Sequence, residues 1–172
     1  MTMTDPTSEE SIDAYNHNST PWAEVLRLLD ENPAGPGRSY WLSTTNPDGS
    51  PHTTGIGALW IGGRFYFVSG DGTRKSKNLA LNPRVVISAG LPNLDLTVDG
   101  VATKVTDEAK LQHIAEAYAA NGWGPTVRDG AFYHDYSAPS AGPPPWQVYE
   151  VTATKAIGLG GEEAVGATRW VF

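Results

Sequence analysis

The chain has 172 residues, room for one sizeable core and too few for two ordinary domains. Twelve Lys and Arg against nineteen Asp and Glu leave a formal net charge of −7, which disfavours non-specific nucleic-acid binding, since that relies on a broad positive face. There is no cysteine, so disulfides and thiolate chemistry are excluded, and thirteen prolines argue against an all-helical protein.

Residues 1–18 are polar, acidic and poor in large apolar groups, and read as a flexible N-terminal tail ahead of a single domain over 19–172. The tail has no cationic stretch followed by an apolar one, so it does not read as a signal peptide. No segment has the apolar length of a membrane span, and a cytoplasmic location is the expectation. Thr20 and Pro21 read as the cap and first position of a short helix. Its apolar stripe is Trp22, Val25, Leu26 and Leu29, and it ends near Asn32-Pro33-Ala34-Gly35.

Strands follow. Ser39 to Thr45 is one, and Asn46-Pro47-Asp48-Gly49 is a turn. Pro51 to Ile61 reads as one long strand, turned by Gly62-Gly63 into a third strand from Arg64 to Ser69. Such short connections make antiparallel neighbours. Thr73 to Leu81 is a short helix stopped by Asn82-Pro83, and Arg84 to Ala89 is the next strand. Leu94 to Val105 is another, with a bulge expected at Gly100. Asp107 caps a helix to about Ala120 whose buried stripe is Leu111, Ile114, Ala115 and Tyr118, ended by Asn121-Gly122.

Residues 122–146 are rich in proline and glycine, yet carry Trp123, Phe132, Tyr133, Tyr136 and Trp146. A disordered linker lacks such aromatics, so this is an ordered loop that packs over a core edge, a partner or a ligand. Val148 to Ile157 and Ala167 to Phe172 complete the strands. Six or seven antiparallel strands with three short helices predict a mainly β fold, an antiparallel barrel with short peripheral helices, since closure removes the liability of free sheet edges.

The densest chemistry lies in residues 64–90, RFYFVSGDGTRKSKNLALNPRVVISAG. A strand and glycine turn there deliver Arg74, Lys75 and Lys77 to the first turn of a helix, where free backbone N–H groups and cations together can hold a phosphate. Ser69, Thr73 and Ser76 add hydroxyl donors, Gly70 and Gly72 let the backbone bend round an anion, and Asn78 pins the turn. Composition accounts equally well for a solvated helix face. The segment is not a P-loop, because that motif's glycines and Lys-Ser/Thr pair are missing. Gly55 and Gly57 within the long strand read either as close approach to a flat ring, with Thr54 bonding its edge, or as tight barrel curvature. His134, Asp135 and Tyr136 line a substrate pocket or stabilise their loop. The four histidines show no metal-ligand spacing, and no Ser-His-Asp arrangement can be assembled.

With these motifs in view, the chain resembles the pyridoxamine 5'-phosphate oxidase-like split β-barrel proteins. More narrowly, it resembles their actinobacterial flavin/deazaflavin oxidoreductase branch. The residues that carry this are STTNPDGSPHTTGIGALWIGGRFYFVS and TRKSKNLALNPRVVIS, within a match over about 22–120. The resemblance implies a split barrel of the FMN-binding type. It places the cofactor phosphate on Lys75 and Lys77, with Ser69 or Thr73 beside them and Asn78 in the motif, and ring contacts on Thr54, Gly55 and Ile56. It also implies a homodimer with two cofactor sites at the interface.

Family members use FMN, coenzyme F420 or haem, and the Lys-x-Lys-Asn-Leu form of residues 75–79 looks more like the F420 users. The expectation is an F420-binding oxidoreductase passing a hydride to an electron-poor double bond of a small organic substrate. An FMN-dependent oxidase or reductase, and a non-catalytic flavin or deazaflavin carrier, are the alternatives. An F420 tail needs a cationic groove, for which Arg38, Arg64, Arg84, Lys104 and Arg128 are the candidates.

Overall fold

The computed structural model describes residues 5–15, 17–35, 37–161 and 166–172. In chain order the elements are β1 (Ser8–Ser11), α1 (Trp22–Glu31), β2 (Tyr40–Thr45), β3 (Pro51–Ile56), β4 (Leu59–Ile61), β5 (Arg64–Gly70), α2 (Arg74–Leu81), β6 (Arg84–Leu91), β7 (Leu94–Lys104), α3 (Glu108–Ala120), β8 (Thr126–Arg128), β9 (Ala131–Tyr133), β10 (Trp146–Gly160) and β11 (Ala167–Val171). The strands form a single sheet with the path β1-β11-β10-β7-β6-β2-β3, every pairing antiparallel. This is the mainly β split-barrel architecture, with short helices at its periphery.

The split originates in β10. Its first half pairs with β5, Trp146 facing Gly70, and its second half with β11, Lys155 facing Val171, while β7 runs along it from Tyr149 to Gly160. Alternation along β5 then feeds two cores. Phe65 and Phe67 join Tyr40, Leu42, Ile87 and Val151 in the main core, which α1 covers with Trp22, Val25 and Leu29. Tyr66 joins Leu111, Ile114, Phe132, Trp146 and Val148 in a second core beneath α3. A strand buried on both faces shows no apolar–polar alternation, which is why RFYFVS reads as continuously apolar.

Several expectations change. The long strand 51–61 is two: β3 pairs with β2, β4 pairs with β5, and Gly57-Ala58 between them carries the chain round a corner. The bulge lies not on Gly100 but on β10, where the register slips between Ala153 and Lys155 as they pair with Gly100 and Asp99. Gly100 is needed there, because a Cβ would stand 2.5 Å from the Thr152 carbonyl oxygen. The segment 1–18 contains β1, which pairs with β11 from Ser8 opposite Val171 to Ser11 opposite Thr168, and Glu9 accepts from the Trp22 backbone N–H (2.9 Å). Backbone pairing on a sheet edge needs no apolar residue, so composition alone carries no sign of it. Thr20 does not cap α1. Pro21 holds the cap position, and the Thr20 N–H donates to Thr168 Oγ1 (2.8 Å). The 122–146 segment is ordered, and adds β8, β9 and a 3₁₀ turn at Pro139–Ala141. Among the described residues no helix is long and apolar enough to cross a membrane.

Candidate functional site

α2 is fastened to the end of β5 by three interlocked hydroxyls. Thr73 Oγ1 accepts from the Ser76 N–H (3.2 Å) and so caps the helix, Ser69 Oγ lies 2.7 Å from Thr73 Oγ1, and Ser76 Oγ donates to Ser69 Oγ (2.7 Å). Ser69 is fully buried, so its hydroxyl acts within this chain of bonds, while Thr73 is half-buried and flanks the turn. Asn78 is also fully buried. Its side chain bonds other side chains and not the turn. Its Nδ2 donates to Thr44 Oγ1 and Asn46 Oδ1, both at 3.0 Å, tying α2 to the β2–β3 hairpin, and its Oδ1 is buried without a partner.

Lys75, in the first turn, is only 2% exposed. Its Nζ donates to the Ser140 carbonyl oxygen, and among the described residues it forms no ion pair with a carboxylate. Burial pushes its pKa down from the ordinary 10.5 to about 8. Lys77, two positions on, is exposed, and the helix turns its ammonium away from Lys75.

Ser140 also reaches the strand assigned to the ring. Its Oγ donates to the Gly55 carbonyl oxygen (2.7 Å), so one residue of the aromatic loop bridges the α2 start and β3. A Cβ on Gly55 would meet only the Trp41 ring, at 3.9 Å, and one on Gly57 would meet nothing within 4 Å. Packing within the chain therefore does not demand either glycine, and space stands open over both. Thr54 is half-buried on the same strand opposite Leu42, and Ile56 is buried at its end.

The structure thus brings Ser69, Thr73 and Lys75 together at one end and Gly55 and Ile56 at the other, linked through Ser140. Lys77 lies on the outer face of α2, and Asn78 faces inward to Thr44. Ser140 was missed. Nothing in SAPSAGPPPW singles out one serine, because its role comes from where the fold lays the loop.

The loop is held by two indoles: Trp123 Nε1 donates to the Tyr136 carbonyl (2.7 Å) and Trp146 Nε1 to the Gly142 carbonyl (2.8 Å). Between the loop, the β3–β4 corner and α3 lies a cavity of about 490 Å³, lined in part by Ile56, Leu59, Val68, Tyr118, Trp123 and Tyr136. His134 does not line it. Its ring packs edge-on to Tyr136 at 4.6 Å, and its Nδ1 accepts from the Tyr136 N–H (3.3 Å). Three of the other cations are dispersed. Arg64 donates to Thr152 Oγ1 (2.7 Å) and lies 3.6 Å from Glu150, Lys104 pairs with Asp71 (3.0 Å), and Arg128 sits over the Tyr133 ring at 4.0 Å. Among the described residues no group of three or more His, Asp or Glu is placed to hold a metal ion.

Solved structures share this arrangement of strands. A heme binding protein of Mycobacterium smegmatis is 20% identical, with 88% of this chain and 59% of that one covered and a TM-score of 0.62. A conserved hypothetical protein of Mycobacterium tuberculosis is 21% identical over 84% and 87% of the two chains, TM-score 0.61. A pyridoxamine 5'-phosphate oxidase-related, FMN binding protein of Nostoc punctiforme is 19% identical over 90% and 92%, TM-score 0.57. At these identities the likeness is one of fold. No curated protein matches the chain. The family model for pyridoxamine 5'-phosphate oxidase matches residues 37–159, from just ahead of β2 to near the end of β10, and by that match the chain belongs to the pyridoxamine 5'-phosphate oxidase family.

Proposed function

We propose that this protein is an oxidoreductase that holds a phosphorylated flavin, FMN, with the phosphate at the start of α2 and the ring against β3. The observation that carries the reading is the Lys75 ammonium, almost wholly buried with a backbone carbonyl as its hydrogen-bond partner. A buried cation without an anion is costly, and a phosphate arriving there would remove that cost. Lys75 stands in the first turn of α2, where a helix N-terminus favours an anion, and the open space over Gly55 and Gly57 suits the close approach of a flat ring. A phosphate at Lys75 takes the place of the Ser140 carbonyl, so the loop gives way as the cofactor enters. Thr73 and Lys77 flank this entry. Ser69, Ser76 and Asn78 hold α2 in position behind it.

When bound, the flavin supplies the two-electron chemistry. The chain's own contribution is to orient the ring along β3 and to grip its phosphate. FMN is favoured over coenzyme F420 by three of the five candidate cations: Arg64, Lys104 and Arg128 are engaged at separate places rather than lining one groove for an oligoglutamate tail. The Nostoc relative described as FMN binding points the same way. F420 with hydride transfer to an electron-poor double bond remains the second reading, favoured by the Lys-x-Lys-Asn-Leu form of residues 75–79.

Parallel titration with FMN and F420, followed by tryptophan quenching, tests the assignment. FMN binding that is lost in the Lys75→Met, Lys77→Ala double variant is the expected result. F420 binding alone overturns the choice of cofactor, and binding of neither removes the proposal. A holoprotein that binds FMN but never turns over with any electron acceptor is a carrier.

A further inference from the structure

The cavity beneath the aromatic loop differs in chemistry from the phosphate end of the site. Among the described residues, its lining contains no Lys, Arg, His, Asp or Glu. Most polar atoms that reach it are already used within the chain. The Tyr118 hydroxyl donates to the Gly57 carbonyl (2.9 Å), Ser140 Oγ to the Gly55 carbonyl (2.7 Å), the Trp123 indole to the Tyr136 carbonyl (2.7 Å) and the Asn121 amide to the Ala117 carbonyl (2.9 Å). What else lines the space is mainly aliphatic and aromatic: Ile56, Leu59, Val68 and Ala138, with the rings of Tyr118, Trp123 and Tyr136 and the hydroxyl of Ser137. A charged ligand would lose its hydration here and gain no compensating partner. A neutral flat molecule would bury its faces against side chains that stack well. About 490 Å³ lies within the range of small-molecule pockets.

We infer that this cavity is a binding site for a neutral, flat, apolar molecule of two or three fused or linked rings. It does not take a phosphorylated or carboxylated molecule, the family's name notwithstanding. The inference rests on the flavin reading above for the role of that molecule as the flavin's redox partner, because the cavity floor, Ile56 to Leu59, continues the strand on which the ring is placed. The occupancy itself rests on the lining alone.

The test uses two probes of one shape. N-phenyl-1-naphthylamine is neutral, and 1-anilinonaphthalene-8-sulfonate adds a sulfonate to the same rings. Each is titrated into the full chain and read by probe emission and by energy transfer from tryptophan. The expected result is one neutral probe bound per chain, at least tenfold tighter than the sulfonate, and not displaced by FMN or pyridoxamine 5'-phosphate. Ala138→Trp, which fills the cavity from its exposed rim, and Ala138→Asp, which places a charge there, should each weaken the neutral probe at least tenfold with the near-ultraviolet circular dichroism of the fold retained. Equal binding of the two probes, undiminished binding in both variants, or displacement of the neutral probe by FMN overturns the inference; the last would make the cavity the flavin ring's own seat. If FMN does not bind while the neutral probe still binds and both Ala138 variants still weaken it, the flavin reading fails and the cavity assignment stands.

Discussion

Lys75 is the residue on which chemistry and stability oppose each other. Its folded-state pKa is depressed to about 8 by burial, against 10.5 when exposed. Between these values the unfolded chain binds more protons than the folded one, so stability rises as pH rises through this window. Below pH 8 the charge is present in both states and the whole burial penalty acts against folding. Lys75→Met keeps the side-chain length and removes the charge. The variant should therefore be more stable than the parent at pH 7, by about 1–3 kcal/mol, and the two should converge towards pH 10. Urea denaturation at several pH values measures this, and a variant less stable at pH 7 would mean that the Ser140 carbonyl compensates the ammonium fully. The same variant should lose FMN affinity at least tenfold, so the residue that costs stability is the one that grips the ligand. The sequence placed Lys75 and Lys77 in one helical turn but did not separate them. At two positions apart in a helix, one faces the β5 end and the loop, and the other faces solvent.

At the level of elements, the helices and the inner strands were legible because each is written in local chemistry. Thr73 and Asp107 cap α2 and α3 as their residue types predict, Gly62 and Gly63 take the positive φ angles of a tight hairpin, and the α3 stripe is buried at all four positions. What was not legible depends on partners distant in the chain. β1 has no apolar signature and exists only through β11. The corner at Gly57-Ala58 arises because one end of a continuous apolar run pairs with β2 and the other with β5. Ser140 was invisible for the same reason. Its two contacts lie 65 and 85 positions away in the sequence. Gly70 gives a test of how the loop is seated. A Cβ there would stand 2.7 Å from the Pro143 carbonyl oxygen and 3.0 Å from that of Ala141, both backbone atoms. Gly70→Ala should push residues 139–145 outward, detach Ser140 from Lys75 and weaken neutral-probe binding in the cavity. Limited proteolysis should then cut within 134–145 faster by severalfold while the barrel stays intact. An unchanged cleavage rate would mean that the loop shifts as a rigid unit without losing its seat. Gly100→Ala, by contrast, clashes with Thr152 and Val151 inside the sheet, and should lower Tm through a cost of about 1–3 kcal/mol without changing loop cleavage.

For the whole molecule, the outer face of the sheet around β2 and β3 is a candidate contact surface. Trp41 is 48% exposed there, beside Gly55, whose missing side chain leaves the indole uncovered. Ser43 and Thr53 form a hydroxyl pair further along the same face (2.8 Å), while Arg38 and Asp95 line the concavity that Trp41 borders. Burying an indole that stands half in water is worth roughly 1–2 kcal/mol from its area alone. A homodimer that uses this face would cover Trp41 in each protomer and would also bring a second chain over the open space at Gly55 and Gly57. The flavin ring would then lie between two copies, and the site would be incomplete in the monomer. Trp41→Glu places a charge at the centre of that contact while leaving α2, Lys75 and the cavity lining untouched. Sedimentation or light scattering should report a dimer for the parent and a monomer for the variant, with FMN binding weakened in proportion to the loss of dimer and recovered at high protein concentration. If the variant is monomeric and binds FMN as tightly as the parent, the cofactor site is complete in one chain. If the parent itself is a monomer at tens of micromolar, the Trp41 face serves some other contact.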